Sequence, residues 1–149
     1  MKSLFDNTAY NEVIDRVNKL SPSSTAQWGK MNVAQMLAHC KEAFKVPLSD
    51  KKMAGSFVGK LIGRLIKSKL YNDSPWKKNL PTAPNFIIRG DRSFHDEKQE
   101  LTDLINKFYT AGPTGVGKFP HPFFGKFTPE QWGMSMYKHI DHHLRQFGV

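Results

Sequence analysis

Two histidines near the end of the chain, His139 and His143, are one helical turn apart within an amphipathic segment. Trp132, Met136 and Ile140 recur there at helical spacing, and both histidines fall within roughly 50° of the centre of this apolar stripe. We therefore expect both imidazoles to point into the core. Buried polar groups need partners, and two imidazoles on one helix face can converge on one cation. The pair therefore predicts two ligands of a metal ion.

A metal site of this kind needs a third protein ligand, and the best candidate is His39. It belongs to a segment that Asn32 and Gln35 can open with a capping box. On this predicted helix His39 lies on the shoulder of the apolar face, roughly 100° from its centre, and can point along a seam between helices. The alternative is that each histidine is a hydrogen-bonded residue of the core or its boundary, because HxxxH alone is a weak signal.

The elements that must position these histidines are predicted to be helical. Hydrophobic periodicity and capping residues predict helices over residues 8–20, 32–45, 55–70, 93–111 and 128–147. Residues 86–89 carry the one plausible strand pattern. The connections are long and rich in proline and glycine, so we expect some of them to fold over the end of the bundle and shape a pocket. The sequence thus predicts an all-α fold.

Length and composition narrow the class of protein. A chain of 149 residues is of ordinary single-domain size, so residues 1–149 are expected to form one domain. Cys40 is the only cysteine, which excludes an intramolecular disulfide and favours a reducing compartment. The sequence has no apolar run long enough to span a membrane and no hydrophobic segment at its start. We therefore expect a cytoplasmic protein.

The formal net charge of +9 favours anionic partners. Eight basic residues lie between Lys51 and Lys78, interleaved with apolar residues, so residues 55–70 predict a basic amphipathic helix. Either this helix packs on the body with a solvated basic face, or it contacts a membrane surface or nucleic acid. No nucleic-acid-binding motif is present, so we expect no nucleic-acid partner.

One motif suggests nucleotide binding but does not fit. Residues 112–118, GPTGVGK, match the spacing of the phosphate-binding loop, GxxxxGK. The next residue is Phe119, where that loop needs a serine or threonine hydroxyl for magnesium. The segment also follows a predicted helix and runs into Pro120, whereas the working loop joins a strand to a helix. We therefore interpret it as a glycine-rich surface loop.

Several ordered motifs carry a resemblance to a known family: MLAH at 36–39, PTAP at 81–84, HPFFG at 121–125, TPEQW at 128–132 and HIDHHLRQFG at 139–148. Over essentially the whole chain, the sequence resembles the DinB-like (YfiT-type) metalloenzyme superfamily, in a branch of unknown function. The resemblance implies a four-helix bundle with up-down-down-up connectivity, to which the basic helix would be an addition. It also implies a metal held by His39, His139 and His143, with Gln146 in a supporting or substrate-facing role.

Three neutral imidazoles cancel none of the charge of a divalent ion and leave a coordination position open. Zinc or nickel is the leading expectation and iron or manganese the alternative, since imidazole ligands do not select among these metals. The resemblance favours a transferase that acts on a small-molecule substrate with a low-molecular-weight thiol, and it implies a homodimer. His121 and His142 are the nearest candidates for proton transfer or substrate contact, and His121 could reach over the metal from its loop.

Two other functions stay open. The first is a metal-dependent hydrolase, because a bound divalent ion also lowers the pKa of water. The second is a non-catalytic, stress-associated binding module that uses the basic helix, with purely structural histidines.

Overall fold

A computed structural model describes residues 1–55, 63 and 65–149, without the side chain of Asn85. Four α-helices account for nearly half of this part of the chain: α1 (Asn7–Lys19), α2 (Val33–Lys45), α3 (Phe94–Gly115) and α4 (Pro129–Gln146). Two short 3₁₀ helices, Lys67–Leu70 and Pro84–Phe86, lie between α2 and α3. The described ranges contain no β-strand. The prediction of an all-α helical bundle is confirmed.

The two helices that carry the histidines begin where the sequence predicted. The side-chain oxygen of Asn32 accepts a hydrogen bond from the backbone N–H of Gln35, whose side chain accepts one from the backbone N–H of Asn32. Thr128 and Gln131 form the same reciprocal pair at the start of α4, with Pro129 in the first helical position. Such capping boxes satisfy backbone donors that a helix start leaves free. They fix the residues at which α2 and α4 begin.

The core lies between the apolar faces of the four helices. Helix α2 packs most extensively on α3 and also contacts α4, while α1 packs on α4 and α3. All four helices contribute fully buried side chains, among them Val13, Val17, Met36, Leu37, Phe44, Leu101, Ile105, Phe108, Ile140 and Leu144. Residues 36–41 of α2 are all buried, so this helix is covered on every side. Helix α2 is therefore the centre of the bundle.

Three sequence predictions need comment. The prediction of a strand over residues 86–89 is wrong, because a 3₁₀ turn ends at Phe86 and the next three residues are irregular. Helix α3 ends at Gly115 instead of residue 111: the chain kinks at Gly112 (φ 64°), and Pro113 suits the first position of a further turn. Half of the predicted basic helix 55–70, residues 56–62 and 64, lies outside the described residues; Leu65 and Ile66 are helical, and Lys67–Leu70 form a 3₁₀ helix.

Candidate metal centre

Three histidines from two helices converge at one place in the bundle. Helix α2 provides His39, and α4 provides His139 and His143. The ring centroids lie 4.7 to 5.1 Å apart in all three pairs, and one ring nitrogen from each residue lies within 4.8 Å of the other two. His39 and His143 are buried, and His139 keeps some exposure. The structure therefore contains a three-histidine cluster that could hold a metal ion.

His39 is held in the cluster by a contact with the segment between α2 and α3. The Nδ1–H of His39 donates a hydrogen bond of 2.9 Å to the carbonyl oxygen of Phe86, in the second 3₁₀ helix. In the neutral ring this bond leaves the lone pair on Nε2. That Nε2 faces the Nε2 of His139 at 3.1 Å. The helical pattern placed His39 on the shoulder of the apolar face of α2, and tertiary contacts bury it there.

His143 is oriented by a chain of two hydrogen bonds. The amide nitrogen of Gln146 donates to the carbonyl oxygen of Trp28 at 2.7 Å, which leaves the amide oxygen as the acceptor for His143 Nδ1 at 2.8 Å. His143 therefore carries its hydrogen on Nδ1 and its lone pair on Nε2. A hydrogen bond of this kind at the far ring nitrogen is typical of metal-binding histidines.

His139 is the one member whose ring lacks such support. Its Nδ1 is buried and has no hydrogen-bond partner in the part of the chain that the structure describes. Buried polar atoms without partners are uncommon and mark sites of strain, ligands or catalysis. Its Nε2 lies 3.1 Å from that of His39, close to the separation of about 3.3 Å that two nitrogens bound to one tetrahedral zinc would have. The donor set and its spacing fit a divalent transition ion.

The protonation states also suit metal binding. Burial lowers the pKa of His143 to about 3, helped by the neighbouring His39. Burial, followed by the nearby His143 and His39, holds the pKa of His139 well below its usual value. Burial also lowers the pKa of His39, although the bond to Phe86 opposes this. All three imidazoles are therefore neutral near pH 7, the form in which histidine binds metals.

The cluster opens into a cavity of about 840 Å³. Apolar side chains make up most of its wall, and Trp76 lies edge-on to His139 with ring centroids 5.8 Å apart. A cavity of this size can enclose a small molecule. Sequence reasoning missed Trp76 and the carbonyls of Phe86 and Trp28, because no local pattern indicates which backbone oxygens will face a distant side chain.

The two other predicted histidines occupy different places. His142 is half-buried next to His143, with ring centroids 5.2 Å apart, and it lies between Trp28 and Trp76. Burial lowers its pKa. His121 packs against Trp132, two helical turns before His139, and its role in proton transfer or substrate contact stays a prediction. Both histidines line the cavity.

None of the helices in the described ranges is long and apolar enough to cross a membrane. Comparison with curated proteins and with solved structures finds no match. A family model does match, over residues 2–148, and it is described as "Protein of unknown function (DUF1569)". The chain belongs to this DUF1569 family.

Proposed function

We propose that this protein is a metal-dependent enzyme in which His39, His139 and His143 bind one divalent transition ion, with zinc or nickel first and iron or manganese as alternatives. The convergence of three neutral imidazoles supports the proposal, because hydrogen bonds at Nδ1 leave the Nε2 lone pairs of His39 and His143 facing the cluster. A purely structural role would not require this orientation of the Nε2 lone pairs.

A divalent ion held by three neutral ligands supplies Lewis acidity, which lowers the pKa of a bound thiol or water. The protein provides the surroundings for this chemistry. The wall of the cavity is mainly apolar, and Trp76 covers one side of the cluster. His142 is the candidate for proton transfer, because its ring contacts His143 and also lines a second, charged groove that opens on the other side of α4.

Thiol-dependent transfer to a small molecule is the reaction class we favour. The mainly apolar cavity suits an organic acceptor with apolar surface to bury, which favours transfer to a small molecule. The chain cannot supply the thiol itself: Cys40 is fully buried in the core, and burial raises the pKa of its thiol far above the usual range. The thiol must therefore be a small molecule. Assays with and without added thiol distinguish transfer from hydrolysis.

The first test is the metal content of untagged protein, measured by elemental analysis after purification without nickel resin. We expect near-stoichiometric metal in the wild type and none in His39→Ala or His143→Ala, with the helical circular dichroism signal retained. His95→Ala is the matched control, since His95 is an exposed histidine in the first turn of α3. Wild-type protein that binds no metal after incubation with zinc, nickel, iron or manganese would refute the proposal.

A further inference from the structure

The cavity is elongated along α4. Six residues of this helix line it: Trp132, Ser135, Met136, His139, His142 and His143. They span eleven positions, which corresponds to about 16 Å at the helical rise of 1.5 Å per residue. The candidate metal ligands lie at one end of this row and Trp132 at the other. The far end lies about 10 Å along the helix axis from His139, the nearer of the two ligands on α4, since Trp132 precedes His139 by seven positions.

A rigid turn closes the far end and holds His121 there. Two backbone hydrogen bonds, of 2.9 and 3.1 Å, join His121 to Gly125. The Nδ1 of His121 accepts hydrogen bonds from the backbone N–H groups of Phe123 and Phe124, at 3.1 and 3.3 Å. The ring also packs against Phe124 and Trp132, with centroids 4.5 and 5.9 Å away. Both the position and the orientation of this imidazole are therefore fixed.

These contacts leave one polar atom of His121 available. Because Nδ1 accepts two hydrogen bonds, the neutral ring carries its hydrogen on Nε2. Burial lowers the pKa of His121 to about 4, so the neutral form dominates near pH 7. Within the described residues, Nε2 has no hydrogen-bond partner. The far end of the cavity thus offers one oriented N–H donor in aromatic surroundings.

The wall between the two ends is mainly apolar. Its side chains come from the segment between α2 and α3 and from the turn at His121, and they include Ile66, Leu70, Leu80, Phe86 and Phe123. A ligand that fills the cavity would bury an apolar body against these side chains. Polar side chains such as Ser135 also lie on this wall, but the apolar residues are the more numerous.

We propose that the substrate is an elongated, largely apolar molecule that presents a metal-binding group to the three-histidine cluster and a hydrogen-bond acceptor to the Nε2–H of His121. This inference rests on the proposed metal site and adds the substrate class and a positioning residue. The two ends of the cavity lie about 10 Å apart along α4, which sets the approximate length of such a molecule. A molecule with only one of these groups, or with a much shorter body, cannot use both ends.

The test uses synthetic thiols of matched length as probes. An extended chain of about eight carbons reaches about 10 Å, given carbon–carbon bonds of about 1.5 Å. Binding of 8-mercaptooctanamide, nonanethiol and the short 3-mercaptopropanamide is measured by calorimetry with zinc-loaded and metal-free protein. The variant is His121→Asn, whose side-chain oxygen can replace Nδ1 as acceptor for the turn but whose amide does not reach the position of Nε2. His95→Asn is the control.

In zinc-loaded wild type we expect the long amide to bind roughly tenfold more tightly than nonanethiol, the effect of one net hydrogen bond. His121→Asn should remove this preference and leave nonanethiol binding unchanged, while His95→Asn changes neither. Equal preference in wild type and His121→Asn, or no preference in wild type, would overturn the inference. Comparing zinc-loaded with metal-free protein tests the metal site separately. If the thiols bind equally well without zinc but the preference that depends on His121 persists, the metal site is refuted and the role of His121 is not.

Discussion

Gln146 tests the link between the helix packing and the metal site. Its side chain is 3% exposed, and its amide group joins the carbonyl of Trp28 to the Nδ1–H of His143. Gln146→Met keeps the length and approximate volume of the side chain but removes both hydrogen bonds. The Trp28 carbonyl and the His143 ring nitrogen are then left without these partners, and the orientation of His143 is no longer fixed.

The expected magnitudes follow from these two bonds. Each contributes about 1 kcal/mol net, and leaving a buried partner unsatisfied adds to this cost, so we expect the metal-free protein to lose about 2–3 kcal/mol of unfolding free energy. Removing a hydrogen bond that orients a metal ligand lowers metal affinity about 10- to 100-fold. The stabilisation that zinc provides at a fixed free concentration should therefore fall by a further 1.4–2.7 kcal/mol or so.

The assay is urea unfolding of the metal-free and zinc-saturated protein, combined with competition titration of zinc against a chelating dye. Gln99→Met is the matched control: Gln99 is exposed on α3 and bonds only to Asp103 in the described structure, so its loss should change stability by less than about 0.5 kcal/mol. Gln146→Glu is a second variant, because its carboxylate again accepts from His143, and part of the zinc affinity should return. An unchanged zinc affinity in Gln146→Met would refute the argument that this residue orients a ligand.

Three further predictions concern acid stability and two contacts around the site. The folded-state pKa values of His121 and His143 (about 4 and 3) lie below the ordinary value of 6.5, so between pH 6.5 and 5 only the unfolded chain gains protons at these residues. The unfolding free energy of the metal-free protein should fall by about 2 kcal/mol per histidine over this range. The midpoint of urea unfolding would show this fall, and a constant midpoint would contradict the prediction. Gly29→Ala places a Cβ 2.5 Å from Gln146 Nε2, at a φ of +84°, and should weaken zinc binding. Gly90→Ala is its control, because φ is again positive (+75°) but the added Cβ meets no atom within 4 Å. The control should therefore lose only the stability that backbone strain costs, about 1–2 kcal/mol. Equal zinc affinities in the two glycine variants would rule out the contact with Gln146. Lys138→Met removes three hydrogen bonds of 2.6–2.7 Å from Nζ to Lys69 and Asn72, and should speed amide hydrogen exchange in residues 67–76. Lys19→Met, at an exposed position on α1, should leave that exchange unchanged, and unchanged exchange in Lys138→Met would show that these bonds do not hold the segment.

The sequence by itself determined the features that depend on near neighbours. The capping boxes at Asn32 and Thr128 use partners three residues away, so the starts of α2 and α4 could be predicted directly. The one-turn spacing of His139 and His143 placed both rings on one face of α4, because helical geometry fixes side-chain directions over such a distance.

Only the tertiary structure decided how the third histidine joins them and what surrounds the cluster. His39 is separated from His139 by one hundred positions, and its ring bonds to Phe86, the last residue of a 3₁₀ turn, where the sequence pattern predicted the start of a strand. The carbonyls of Phe86 and Trp28 are chemically the same as every other backbone carbonyl, so no residue type identifies them as acceptors. The position of His121 depends on how its turn packs on α4. Local rules therefore fix helices and their faces, whereas the candidate site depends on long-range packing that no single segment encodes.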